Sequence, residues 1–272
     1  MSTLLCTIDE TPASAALVAA LLAQVSRPEH EGERPELVLA GPQPALRRLA
    51  QACARRGLSV ELDADGIKVA GRALALRSKA ARGSIGVRLR EHRVELEREG
   101  STRLGERAEL LAAAPLLEAI ERGTGLRWAL LSVLEGADGF ASRGDLGERK
   151  PDAALDAGLQ RCFPSLVGRI GFGAALGPQP GAALHLSVLL GAGATIDGVR
   201  DLLAAQAETR SRWPRLRMRP GFGSADCLGD PGVHLDLDAL TSAGPLLRLV
   251  AYYDPPAVLA GDLLRRLADS GS

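Results

Sequence analysis

An α/β fold is predicted by three observations: strand and helix patterns alternate through the first 60 residues, long apolar strands with few helices between them occupy the second half, and the chain returns to helix near its end. The 272 residues are 46% apolar and 24% charged, enough to bury a sizeable core in one large domain or two small ones. Aromatic residues are only 3%, so alanine, leucine and valine must fill that core.

Residues 4–8 are a short apolar run, and residues 12–24 have helical spacing with Pro12 suited to a first turn. Residues 36–40, Glu-Leu-Val-Leu-Ala, read as a second strand, broken by Gly41-Pro42; residues 44–56 read as a helix closed by Gly57. This βαβα order predicts two parallel strands joined by crossovers. Residues 58–62 and 66–76 read as short strands about a turn at 63–66. From 82 to 107, Arg and Glu dominate and apolar residues are sparse, which predicts a solvated connector or an exposed hairpin. A helix at 108–122, a strand at 126–134, a polar loop at 136–151 and a helix at 153–162 follow. Long strands are predicted at 168–176 and 182–190, then a helix at 195–207 capped by Thr195. Strands recur at 233–237 and 246–253, and a last helix covers 256–268. Long strands joined by few helices predict an antiparallel α+β sheet in this half.

Lys plus Arg equals Asp plus Glu at 33 each, so the chain as a whole gives no electrostatic support to nucleic-acid binding. Four cysteines, Cys6, Cys53, Cys162 and Cys227, have no CxxC spacing and form neither a zinc cluster nor a small disulfide framework; reduced thiols in a cytoplasm fit best. The apolar stretch 13–25 is too short to span a bilayer and follows Asp9 and Glu10 rather than a basic leader. A soluble cytoplasmic protein that binds neither membrane nor nucleic acid is expected.

The first βα turn, where glycines would let a backbone approach a pyrophosphate, reads Thr7-Ile8-Asp9-Glu10-Thr11-Pro12. It has no glycine, and two carboxylates would face the phosphates. Gly171-Phe172-Gly173 lies in a strand-like run with the wrong spacing for a dinucleotide fingerprint. His30, His92, His185 and His234 have no partner at metal-ligand spacing, and His185 and His234 read as structural residues of strands. Cys227 has acidic neighbours, which oppose thiolate formation, so burial is the favoured reading; Cys162, between Arg161 and Phe163, is the alternative thiol. Asp226 and Asp230 could serve acid–base work, but their spacing better fits turn carboxylates that accept backbone N–H groups.

Several stretches carry a family resemblance. Ser224-Ala225-Asp226-Cys227-Leu228-Gly229-Asp230 precedes the strand-like run 246–254 and a final helix. Cys162-Phe163-Pro164-Ser165-Leu166-Val167-Gly168-Arg169-Ile170 precedes Gly177-Pro178-Gln179-Pro180, and Ala114-Pro115-Leu116-Leu117 precedes Gly125-Leu126-Arg127. In order and spacing, these resemble the catalytic domain of the glyceraldehyde-3-phosphate dehydrogenases across residues 108–272, and 65–71 resembles a hairpin of the same family. The resemblance implies a truncated Rossmann-like N-terminal domain, 1–107 completed by the helix 256–272, and an antiparallel α+β domain of the family's C-terminal type over 108–255. The shortness of the span 76–108 implies that later strands of the family's cofactor domain are missing, and the span 135–164 is shorter than its family counterpart too.

The family is NAD-dependent and oxidises aldehydes through a cysteine, but its functional positions do not carry over: a carboxylate at the base position could move protons, yet it has no thiol to activate. The nucleophile falls on Ala108, the base on Glu135 and the phosphate-binding arginine on Leu176; the cofactor-facing asparagine and the glutamate after it fall on Pro255 and Pro256. Alanine offers no atom for a thiohemiacetal. The expectation is therefore a catalytically inactive relative, with no catalytic residue, metal or NAD cofactor, that acts by associating with itself or with a related subunit. Two alternatives are an NAD(P)-dependent aldehyde dehydrogenase with chemistry relocated to Cys162 or Cys227, and a small-molecule or nucleotide sensor.

Overall fold

The computed structural model describes residues 3–9, 11–27, 35–62, 66–69, 72–75, 84–90, 93–98, 101–136, 153–177, 181–209 and 211–270. The chain is a mixed α/β protein that divides into two compact units, Met1–Gly105 with Leu259–Ser272, and Glu106–Val258. Among the described residues, no helix is long and apolar enough to cross a membrane.

In the first unit, strand β1 (Thr3–Thr7) pairs in parallel with β2 (Glu36–Ala40), Leu4 facing Leu37 and Cys6 facing Leu39. The crossover is helix α1 (Pro12–Val25), which is apolar almost all round and accordingly buried along nearly its whole length. Thr11 caps it, its hydroxyl accepting from the Ser14 N–H, and Pro12 fills the first turn where no N–H is needed. Helix α2 (Gln43–Arg55) is amphipathic instead, burying only Ala45, Leu46, Leu49 and Cys53, and it packs on α1. A separate sheet holds β3 (Val60–Leu62), β4 (Gly66–Val69) and β5 (Arg72–Ala75) as an antiparallel meander.

The segment expected to be a solvated connector is sheet. Strands β6 (Ile85–Arg90), β7 (Arg93–Arg98) and β8 (Ser101–Arg107) extend the first sheet in the order β2-β1-β6-β7-β8. The hairpin alternative is nearer, since β6 and β7 do pair antiparallel, but β6 lies inside the sheet, parallel to β1, with Ile85 facing Leu4 and Val87 facing Cys6. The reason is period-two alternation: Ile85 and Val87 are buried, while Gly86 is half-buried and Arg88 is exposed. Strands therefore occupy most of the span 85–107.

The second unit is built on a six-stranded sheet, β10-β9-β11-β14-β13-β12. Helix α3 (Ala108–Thr124) leads into β9 (Leu126–Gly136); α4 (Ala153–Cys162) and a 3-10 turn (Pro164–Leu166) lead into β10 (Ile170–Gly177). Then come β11 (Ala182–Leu190), α5 (Ile196–Glu208), β12 (Leu216–Arg219), β13 (Val233–Ala243), β14 (Leu246–Tyr253) and α6 (Pro255–Ser270). The centre of the sheet is antiparallel, but β9–β10 and β12–β13 are parallel, which corrects the expectation of a purely antiparallel sheet. A helix sits between β9 and β10 in sequence, and a strand-helix-strand crossover returns the chain in the same direction. Strand β12 is four residues long and is not foreseen by the sequence pattern.

Helix α3 packs on β9 and β11, and α5 packs beside it on α3 and β12. Strand β11 accordingly alternates buried and half-buried residues without a break. Thr195 caps α5 by accepting from the Gly198 N–H at 3.1 Å. Thr195→Ala is expected to cost about 1 kcal/mol and to lower the melting temperature by about 2–4 °C, read by thermal denaturation.

Candidate functional site

Strand β8 runs directly into α3, so Ala108 is the first helical residue, and it is buried. A helix start exposes unpaired N–H groups and the positive end of the macrodipole, a natural place for an anion or a thiolate. Here the protein's own charges gather instead. Arg107 donates to Glu109 through Nη2 at 2.5 Å and Nε at 3.3 Å, with the two residues only 4% and 2% exposed. Next to them, Arg161 of α4 donates to both carboxylate oxygens of Glu106, at 2.9 and 3.0 Å from Nη2. Gly158 allows this approach, since a Cβ there would stand 2.7 Å from the Glu106 Oε2. The helix start therefore carries one buried ion pair and one with a half-exposed arginine and, at Ala108, only a methyl group. It can hold charge in place, and it has no nucleophile.

Glu135 and Leu176 are register partners on the parallel strands β9 and β10, and Glu135 also faces Ala182 of β11. The fold thus brings together two positions the sequence reading treats separately. Pro255 and Pro256 open α6, both buried. Ahead of them Asp254 accepts from the Gly229 N–H at 2.7 Å and from the Ala257 N–H at 3.4 Å, tying the loop after Cys227 to the helix start. Sequence reading passes over this capping role, although Asp before Pro-Pro is its signal.

At the first βα turn, the Asp9 carboxylate accepts from the Thr11 N–H at 2.8 Å, the Thr11 hydroxyl at 2.5 Å and the Ser14 hydroxyl at 2.6 Å. Partial burial pushes its pKa up, but the hydrogen bonds from Ser14 and Thr11 outweigh this and hold it below the usual carboxylate range. The end of β2 closes on the same turn: Ile8 N–H donates to Ala40 at 2.7 Å, and a Cβ on Gly41 would lie 2.3 Å from the Ile8 carbonyl oxygen. Glu10, His30 and His92 lie outside the described residues.

Burial pushes the Cys6 and Cys53 thiols up to about 12, with Arg56 a small opposing influence on Cys53. Cys227 is buried in a 3-10 turn (Ser224–Cys227), its Sγ donating to the Ser224 carbonyl at 2.9 Å. Cys162 is half-buried at the end of α4. Gly171, Phe172 and Gly173 lie in β10, at an edge of the sheet.

Asp226 accepts from the Gly223 N–H at 2.8 Å and pairs with Arg219 at 3.0 Å; these two groups, the N–H foremost, hold its pKa low. Asp230 accepts from the Gly232 N–H at 2.7 Å, with Arg217 Nε at 3.1 Å and His234 Nε2 at 3.5 Å. Burial raises its pKa, but His234, the Gly232 N–H and Arg217 together take it down to about 2. Both carboxylates are thus held by local N–H groups and arginines. His234 is buried against Phe222 at 4.8 Å between ring centroids, while His185 is half-buried on β11.

A carboxylate whose folded pKa lies below its unfolded value stabilises the fold above the unfolded pKa and loses that contribution as pH falls. For Asp230 the window runs from 3.8 down to about 2. Asp230→Asn is expected to lower stability at neutral pH and to flatten the acid limb of the stability profile over that window, measured by urea denaturation at stepped pH.

Among the described residues, no three His, Cys, Asp or Glu side chains gather into a group that could hold a metal ion. No family model matches the chain, and no curated protein matches it.

Proposed function

We propose that this chain is a catalytically inactive relative of the glyceraldehyde-3-phosphate dehydrogenases, a trimmed Rossmann-like domain joined to a domain of the family's C-terminal type, and that it works by association with itself or with a related subunit. The observation that carries the reading is Ala108 at the start of α3, buried and without a heteroatom where the family has its thiol. The register pairing of Glu135 with Leu176 supports it by setting side by side the two positions on which the family's base and phosphate-binding arginine fall. NAD does not fit the first turn, where Asp9 already takes the hydrogen bonds and Gly41 packs on Ile8. A cytoplasmic setting and the lack of nucleic-acid and membrane partners belong to the same reading. A relocated thiol gains no support from Cys227, whose Sγ is committed to Ser224.

The test is calorimetric titration with NAD together with light scattering of the purified chain. The expected result is no NAD binding at millimolar concentration and a dimer or larger species. Aldehyde-dependent reduction of NAD, abolished by alkylating Cys162 or Cys227, would overturn the reading.

A further inference from the structure

We propose that strand β10 is an open sheet edge to which a second copy of this chain adds its own β10, antiparallel and edge to edge, so that two six-stranded sheets run on as one. This rests on the association reading above and names the backbone that carries it. In the order β10-β9-β11-β14-β13-β12 the sheet has two ends. A strand at an end leaves a row of unpaired N–H and C=O groups, a template for another strand, and soluble proteins guard such ends with short strands, proline and charge. The β12 end is guarded in all three ways. It is four residues long, Pro214 and Pro220 stand just outside it, and Arg217 and Arg219 project from it, exposed. The β10 end has none of these devices. Its eight residues, Ile-Gly-Phe-Gly-Ala-Ala-Leu-Gly, hold no charge and no proline.

Register shows which groups are open. Ala129 lies opposite Ile170, and its N–H donates to the Arg169 carbonyl at 2.8 Å. In a parallel ladder the groups of every second residue, from Arg169 to Ala175, then turn to β9, and those of Ile170, Phe172, Ala174 and Leu176 turn away. Among the described residues, nothing pairs with these outward groups. Apolar surface lies beside them. A Cβ on Gly171 would meet Leu130 at 3.3 Å and Trp128 at 3.5 Å, so these two side chains of β9 lean over the edge strand, and they remain 38% and 43% exposed. A Cβ on Gly173 would meet nothing within 4 Å, so no side chain stands over the middle of the strand.

The occupant follows from symmetry and charge. Donors and acceptors alternate along a strand, and the same strand turned end for end about a two-fold axis presents the matching alternation. Residues of one kind meet across such an axis, so a charged edge repels its own copy. Strand β10 brings no charge to that contact, whereas β12 would set arginines beside arginines. One open edge per copy also closes the assembly at two, because a guarded β12 denies the next copy a place to add.

Hydrogen exchange over 170–176, read by mass spectrometry, and light scattering test this on the full chain from low micromolar to near-millimolar concentration. The expected result is a dimer and no larger species, with exchange over 170–176 slowing about tenfold as pairing fills. Gly173→Lys places a charge at the middle of the edge without a clash; shown by circular dichroism to be folded, it is expected to weaken pairing at least tenfold and to keep 170–176 in fast exchange. A dimer that forms while exchange over 170–176 ignores concentration, or that survives Gly173→Lys unchanged, would overturn the edge and leave association standing. A wild-type chain that stays monomeric throughout would overturn the edge and self-association together.

Discussion

Glu109→Ala is expected to cost about 3 kcal/mol, because it takes two charge-assisted hydrogen bonds from the Arg107 guanidinium in a site where both side chains are almost wholly buried. Alanine returns neither of the lost hydrogen bonds. Replacing both partners together, Arg107→Met with Glu109→Leu, should recover most of the loss, since a buried ion pair is balanced against its own desolvation. Urea denaturation of the two variants checks the pair. Equal losses in both would show that the damage comes from lost packing rather than from the broken ion pair. The result bears on function, because this ion pair flanks the helix start where the family resemblance puts reactive sulfur.

Gly41→Ala is the second large effect, about 3 kcal/mol. The added Cβ would meet the Ile8 carbonyl oxygen at 2.3 Å and its carbon at 3.2 Å, and both belong to backbone rather than to a flexible side chain. Relief requires parting the ends of β1 and β2, which the Ile8–Ala40 hydrogen bond holds at 2.7 Å. Gly173→Ala is the matched control: a Cβ there meets nothing within 4 Å, so its effect should stay within about 0.5 kcal/mol. Thermal melts of the two variants separate a tight backbone approach from a glycine that is merely present.

Local chemistry explains which elements could be read from sequence. Helix α1 announces itself through Pro12 and α5 through Thr195, because a cap acts within one turn of its own position. Strands β11 and β14 match their predicted bounds, since long apolar runs leave few alternatives. Strand β6 is hidden because Arg88 and Arg90 dilute the alternation of Ile85 and Val87, and its place beside β1 depends on a partner some eighty residues earlier. The parallel pairing of β12 with β13 is equally non-local. At the candidate site, Ala108 is visible by position, but the burial of Arg107 and Glu109 is not: Arg-x-Glu in a charged stretch reads as surface. The neighbouring positions of Glu135 and Leu176 come from sheet register, which no single segment encodes.

Helix α6 begins in one compact unit and finishes in the other, with the boundary between Val258 and Leu259. A ribosome reaches Leu263, fully enclosed in the finished protein, only after every strand of the second unit has been made. Residues 1–105 therefore stand without Leu259–Ser272, which belong to the same unit, through the translation of some 150 intervening residues.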